Sequence, residues 1–284
     1  MKLKLTECPR DAMQGIHEFI PTEAKAAYIN QLLMVGFDTI DFGSFVSPKA
    51  IPQLRDTADV LDKLDLSQTK SKLLAIVANQ RGAEDACKFD QIDYLGYPFS
   101  ISETFQKRNT NATIDQSLSR VEAIQSLCKA HNKKAVIYIS MAFGNPYGDA
   151  WSPDLAAQWT ERLVEELEIE IIALADTVGV SNESNIRSMF QTLVPSFVNT
   201  QIGAHLHTTP ADAGMKAKAA FEAGCTSFDS AINGLGGCPM AEDELVGNMA
   251  TELLISSLKS DVEIDIDMDA FDEAMKLAST TFPL

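Results

Sequence analysis

No Cys-x-x-Cys pair occurs in this sequence, and its five cysteines (Cys8, Cys87, Cys128, Cys225 and Cys238) are odd in number. That argues against a disulfide framework and for reduced thiols in a cytoplasmic protein. No apolar run approaches the ~20 residues that span a bilayer. The longest, Leu73–Ala78 and Ile171–Ala175, are the length of strands. The first eleven residues, MKLKLTECPRD, have no apolar stretch of the signal-peptide kind, so no leader is expected. Bases are scarce: 23 Lys and Arg against 40 Asp and Glu leave a net charge of −17. Nucleic-acid binding needs clustered cations, and an anionic membrane surface repels such a chain, so neither partner is expected. No low-complexity linker divides the 284 residues. One domain is therefore expected, of the size typical for a (β/α)8 barrel.

An alternation of two patterns fills the chain. Short β-rich runs recur at Lys2–Glu7, Thr39–Phe42, Leu73–Ala78, Gln91–Tyr97, Ala135–Ser140, Glu170–Ala175, Gln201–His207 and Thr226–Ile232. Helical periodicity fills the gaps. One helix opens at Pro21-Thr22-Glu23, carries Ala26, Ile29, Leu32 and Leu33 on one face, and stops at Gly36. Others open at Thr113, at Ser152-Pro153, and at Pro210 or Ala211, the last ending at Gly224. Strict strand–helix alternation implies parallel strands, and runs with little polar alternation imply a sheet covered on both faces. Eight such units, with no Gly-rich phosphate loop after the first strand, favour a closed (β/α)8 TIM barrel over a doubly wound sheet. The barrel is expected over about 1–258. A C-terminal helical extension follows at about 261–284, with its helix over Asp269–Ser279, outside the barrel or over one end.

In such a barrel the chemistry sits at the C-terminal ends of the strands. Arg10 and Asp11 follow the first run and Asp41 ends the second. Asn79 follows the third, Ser140 ends the fifth and Asp176 the sixth. His205 and His207 end the seventh, with Cys238 and Asn248 beyond the eighth. The two histidines, at i and i+2, point to one face of a strand. They are either a buried hydrogen-bonded pair or, with Asp11 on the same rim, ligands of a divalent metal. A mixed nitrogen and oxygen set suits Mg²⁺ or Mn²⁺ better than zinc. Arg10 beside Asp11 is a rim ion pair or a fixed cation for a developing oxyanion. Asp41 and Asp176 either orient Arg10 or a histidine, or cap helices. The run Asn233–Pro239 has three glycines in four positions, which let its backbone approach a ligand. Cys238 at its tip is a bystander or a proton donor and acceptor. His131, at a helix end, reads as structural; His17 could approach the mouth.

These residues carry a resemblance. Pro9-Arg10-Asp11 with Gln14, GSFVSPK at 43–49, SETF at 102–105, DTVGV at 176–180, His205-Leu206-His207, GLGGCP at 234–239 and GNMATE at 247–252 resemble the 3-hydroxy-3-methylglutaryl-CoA lyases. The segments run in the family's order through nearly the whole chain. SFVSPK and GLGGCP together are specific to the lyase branch, since the condensing branch would carry a Gly-Glu-Arg type segment in place of GLGGCP. The resemblance implies that Asp11, His205, His207 and Asn248 bind a divalent cation, that Arg10 stabilises a thioester enolate, and that Cys238 handles a proton. It implies that Asp176 takes part in removing the substrate hydroxyl proton; Gln14, Asp41, Asn79 and Ser140, at the strand ends, are candidates for substrate contact. The reaction implied is cleavage of 3-hydroxy-3-methylglutaryl-CoA to acetyl-CoA and acetoacetate by a homodimer. Lys49, Arg55, Lys107 and Arg108, after strand ends or in adjoining loops, are either contacts for the CoA phosphates or solvated surface charges. The chain departs from the family at Asp41 (Glu there), Ala12 (Gly there) and Thr208-Thr209-Pro210 (Asp-Thr-Tyr there). Two alternatives follow: a related lyase or aldolase for another 3-hydroxyacyl-CoA or a 2-keto-4-hydroxy acid, and a non-catalytic metal- or ligand-binding barrel.

Overall fold

Eight parallel strands close into a barrel in chain order: β1 (Lys4–Glu7), β2 (Thr39–Ser44), β3 (Lys72–Ile76), β4 (Tyr94–Ser100), β5 (Lys134–Ser140), β6 (Ile171–Asp176), β7 (Gln201–Leu206) and β8 (Ser227–Ser230). The seam is β8 against β1, with Lys4 opposite Ser227 and Glu7 opposite Ser230. The computed structural model describes residues 2–237 and 246–282. Its helices are α1 (Pro9–Gln14), α2 (Thr22–Val35), α3 (Thr57–Leu61), α4 (Gln80–Ala86), α5 (Glu103–Thr110), α6 (Ile114–Ala130), α7 (Pro153–Glu161), α8 (Glu183–Ser196), α9 (Ala213–Glu222), α10 (Thr251–Leu258) and α11 (Met268–Thr281).

Local chemistry sets the helix starts. Thr113 and Gln116 form a reciprocal capping box on α6, and the Ser152 hydroxyl accepts the Leu155 N–H ahead of Pro153 on α7. Gly36 stops α2 at φ 82°, in the left-handed region. The helix expected from Pro210 or Ala211 begins later, at Ala213. Asp212 first accepts both the N–H and the hydroxyl of Thr209, which holds 209–212 in a turn.

Two apolar layers result. The larger lies between strands and helices; the smaller fills the barrel with Leu74, Ile76, Val136, Tyr138 and Ala173. Strand periodicity assigns each side chain to one of them. β1 begins two residues later than expected and β3 and β8 end two residues earlier, while two strands run two or more residues past their expected ends. β2 runs on to Ser44, with an irregularity in its pairing between Asp41 and Gly43, so Asp41 is inside the strand rather than at its end. β4 begins at Tyr94 and continues to Ser100, because its register follows β5 up to Ser140. The C-terminal helix α11 lies outside the barrel against α2, where Phe271 meets Phe37 and Phe282 meets Tyr28 edge-on. No helix among the described residues is long and apolar enough to cross a membrane.

Candidate active site

A cavity of about 410 Å³ opens at the C-terminal ends of the strands, with Arg10, Asp11, Gln14, Ser140, His205 and His207 in its wall. Arg10 and Asp11 reach it from α1, a single turn and a half that β1 feeds directly. Arg10 binds Asp41 through Nε (3.0 Å to Oδ2) and Nη2 (2.6 Å), and Nη1 donates to Asp11 (2.7 Å) and to Gln14 (2.9 Å). Burial works against the guanidinium's charge, but Asp41 and Asp11 outweigh it and hold Arg10 protonated above its ordinary value. Asp41 is therefore a clamp for Arg10; it does not itself line the cavity.

His205 and His207 project side by side from β7 and the residue just past it, ring centroids 5.5 Å apart. Donor atoms of Asp11, His205 and His207 all lie within 4.8 Å of one another. Asn248 joins them, its amide nitrogen donating to Asp11 Oδ2 at 2.8 Å. The segment bearing Asn248 is stitched to the strand: Met249 N–H donates to the Leu206 carbonyl and Thr208 N–H to the Gly247 carbonyl, both at 2.9 Å. One carboxylate, two imidazoles and an amide, all buried but the half-buried His205, fit a divalent cation with room for oxygen ligands. Burial alone would raise the Asp11 carboxyl, yet Arg10 and both histidines hold it below its usual value. Burial and the neighbouring His205 push His207 down to about 4, so its ring is neutral at pH 7 with a lone pair to give.

Sequence reasoning missed three groups. Asp229, on β8, meets His205 Nδ1 at 3.1 Å, which leaves Nε2 facing Asp11; the carboxylate fixes the ring. Tyr138 packs its ring edge-on to His205 at 5.5 Å. Glu7 faces the helix layer, accepting the Ile232 N–H (2.8 Å) and the Thr251 hydroxyl (2.6 Å). It thereby ties β1 to the Gly-rich turn and to the start of α10. Full burial raises its carboxyl to about 8 from an ordinary 4.5. The folded state thus binds a proton the unfolded chain releases earlier. Its contribution to stability is fully present below pH 4.5 and is lost as pH rises through 8. Thermal melts of the parent are expected to weaken across that window, and Glu7→Gln to flatten the decline; equal slopes would contradict this.

Other expected residues are placed elsewhere. Asp176 lies between Ala175 and Thr177, which line the cavity, while its own side chain does not. Strand alternation turns it to the helix layer, where Oδ2 accepts from Ser181 and Lys216. Its Oδ1 is buried without a partner among the described residues. Asn79 is exposed and caps α4, accepting the Gly82 N–H at 3.0 Å; its neighbour Ala78 faces the cavity instead. Of the cations expected near CoA phosphates, Arg55 alone lines the cavity, stacked over Phe19 at 3.6 Å. His17 also reaches the wall, and His131 ends α6, exposed. Cys238 lies outside the described residues. The other four cysteines are buried and unpaired.

The family model described as HMGL-like matches residues 3–278. The chain belongs to the HMGL-like family. Among its relatives is the hydroxymethylglutaryl-CoA lyase of Bacillus subtilis, 34% identical over 272 residues, 94% of this chain and 89% of that one. The 3-hydroxy-3-isohexenylglutaryl-CoA/hydroxymethylglutaryl-CoA lyase of Pseudomonas aeruginosa is 30% identical over 275 residues, 96% of this chain and 90% of that one. Among solved structures, an HMG-CoA lyase from Acinetobacter baumannii, in complex with coenzyme A and 3-methylmalate, superposes with a TM-score of 0.91. It is 30% identical, covering 98% of this chain and 90% of that one.

Proposed function

We propose that this family member is a divalent-metal-dependent carbon–carbon lyase that cleaves 3-hydroxy-3-methylglutaryl-CoA to acetyl-CoA and acetoacetate. The observation that carries it is the convergence of Arg10, Asp11, His205 and His207 on one wall of the cavity. Asp11, His205, His207 and Asn248 would hold the cation, Mg²⁺ or Mn²⁺, which when bound polarises substrate oxygens. Cleavage takes the proton from the C3 hydroxyl, breaks the C2–C3 bond to leave the ketone of acetoacetate, and protonates the thioester enolate. Arg10, held by Asp41, places a permanent positive charge in the wall where the enolate oxygen develops. Cys238, on the resemblance, supplies the proton to the enolate carbon. Asp176, turned from the cavity, contributes by holding the end of β6 rather than by contact. The apolar wall of Val46, Ile51, Ile76 and Phe105 suits the pantetheine arm, and Arg55 at the rim suits a phosphate. We place the protein in the cytoplasm, on its buried free thiols, and expect a homodimer on the family resemblance, which light scattering would check.

The test is an assay of the purified chain with 3-hydroxy-3-methylglutaryl-CoA and Mg²⁺ or Mn²⁺, following acetoacetate. Metal-dependent product is expected, with Cys238→Ser slower by about 10²-fold. Folded, metal-loaded protein that forms no acetoacetate would sink the substrate assignment. Product from a longer C3 branch alone would move it to a related acyl-CoA.

A further inference from the structure

The first turn of α9 drives Lys216 into the protein interior, where the side chain is 1% exposed. Its ammonium has three hydrogens and finds three close acceptors: the His207 carbonyl at 2.9 Å, Asp176 Oδ2 at 3.1 Å and the Gly179 carbonyl at 3.2 Å. Asp212, one turn earlier, lies 3.5 Å away. These acceptors belong to three separate stretches: the end of β6, the loop after it, and the residue just past β7. Neither Lys216 nor Asp176 lines the cavity, so the ammonium has no direct access to a substrate there.

His207 is where that matters. Pairing of β6 with β7 ends at Asp176 and Leu206, so the His207 peptide lies beyond the ladder on that side. On the other side it bridges Asn248. Lys216 supplies the missing hold on the β6 side. The same ammonium fixes Gly179, whose α-carbon backs onto Val246, two residues before Asn248: a Cβ added there would lie 2.9 Å from the valine side chain. Two of the four expected metal ligands are thus braced by one buried charge. Without it, two carbonyls lose a charged donor and a buried carboxylate loses its counter-ion.

We propose that Lys216 is a positioning residue for the metal centre: it sets the His207 backbone and, through Gly179, the Asn248 segment at the spacing a divalent cation requires. This rests on the metal reading above. The test measures Mn²⁺ binding to the purified full-length chain by calorimetry, with melting temperature alongside. Lys216→Met is expected to weaken Mn²⁺ binding tenfold or more. Lys216→Met/Asp176→Asn removes both charges and is expected to recover most of the lost melting temperature, because no unpaired carboxylate stays buried. Its Mn²⁺ affinity should remain tenfold below that of Asp176→Asn alone. A structural brace without a role at the metal centre would instead let affinity return with stability. Affinity in the double variant within twofold of Asp176→Asn overturns the proposal, even where Lys216→Met alone does not fold. A parent chain that binds no Mn²⁺ overturns the metal reading itself and this inference with it.

Discussion

Arg10→Met is expected to lower kcat/KM by about 10³-fold, the scale of losing a fixed donor at a developing oxyanion. Two effects combine in that variant. Asp41 is fully buried and receives its ion-pair contacts from Arg10, so the substitution leaves an unpaired carboxylate in the interior. Breaking a buried pair from one side costs about 3–5 kcal/mol of stability. Arg10→Met/Asp41→Asn separates the two. It should regain most of the melting temperature, because the remaining group is neutral, and none of the activity, because the cation is still absent. Recovery of turnover in the double variant would mean that Arg10 serves the fold alone.

Gly236→Ala is expected to weaken metal binding and turnover together, by about 10²-fold or more. Gly236 has φ 97°, a conformation that costs a side-chain-bearing residue about 1–3 kcal/mol. An added Cβ would also lie 2.6 Å from the Asn248 amide nitrogen and 2.6 Å from the Asp11 carbonyl. Both neighbours belong to expected metal ligands, so the loop can relax only by moving one of them. A variant with parental Mn²⁺ affinity would show that the turn yields elsewhere. Glycine at this position thus keeps the loop pressed onto the ligands, a tighter role than the freedom to approach a substrate.

The strands were legible because most of the buried runs, β3 and β6 above all, are apolar on both faces, and their count with the missing phosphate loop pointed to closure. The placement of His205 and His207 followed from period two alone. What escaped were charges buried by tertiary contacts. Asp229 had a signal: it alternates with Ser227 on the face of β8 that turns inward. Lys216 had one too, since Ala213, Lys216, Ala217 and Ala220 share a helical face and all are buried. Residue type alone does not separate it from Lys218, which is exposed; only the helical face does. Asp41 lies inside β2 because the pairing shifts after it, and the signal for that irregularity is Gly43, an isolated glycine in the strand. Asn79 follows β3, where a substrate contact is expected, but Asn ahead of Gln80-Arg81-Gly82 is an ordinary helix start.

The hydrogen bond between Asp11 and Asn248 joins residues 237 positions apart, across the seam where β8 closes on β1. The entropy of closing so long a loop must be met before that contact contributes anything. Partly folded chains with an open seam therefore have no complete centre, however much helix and sheet they contain. A cation held there binds only the closed form and stabilises it by mass action. The centre then works as a clasp on the barrel, and its occupancy reports whether the chain has finished folding.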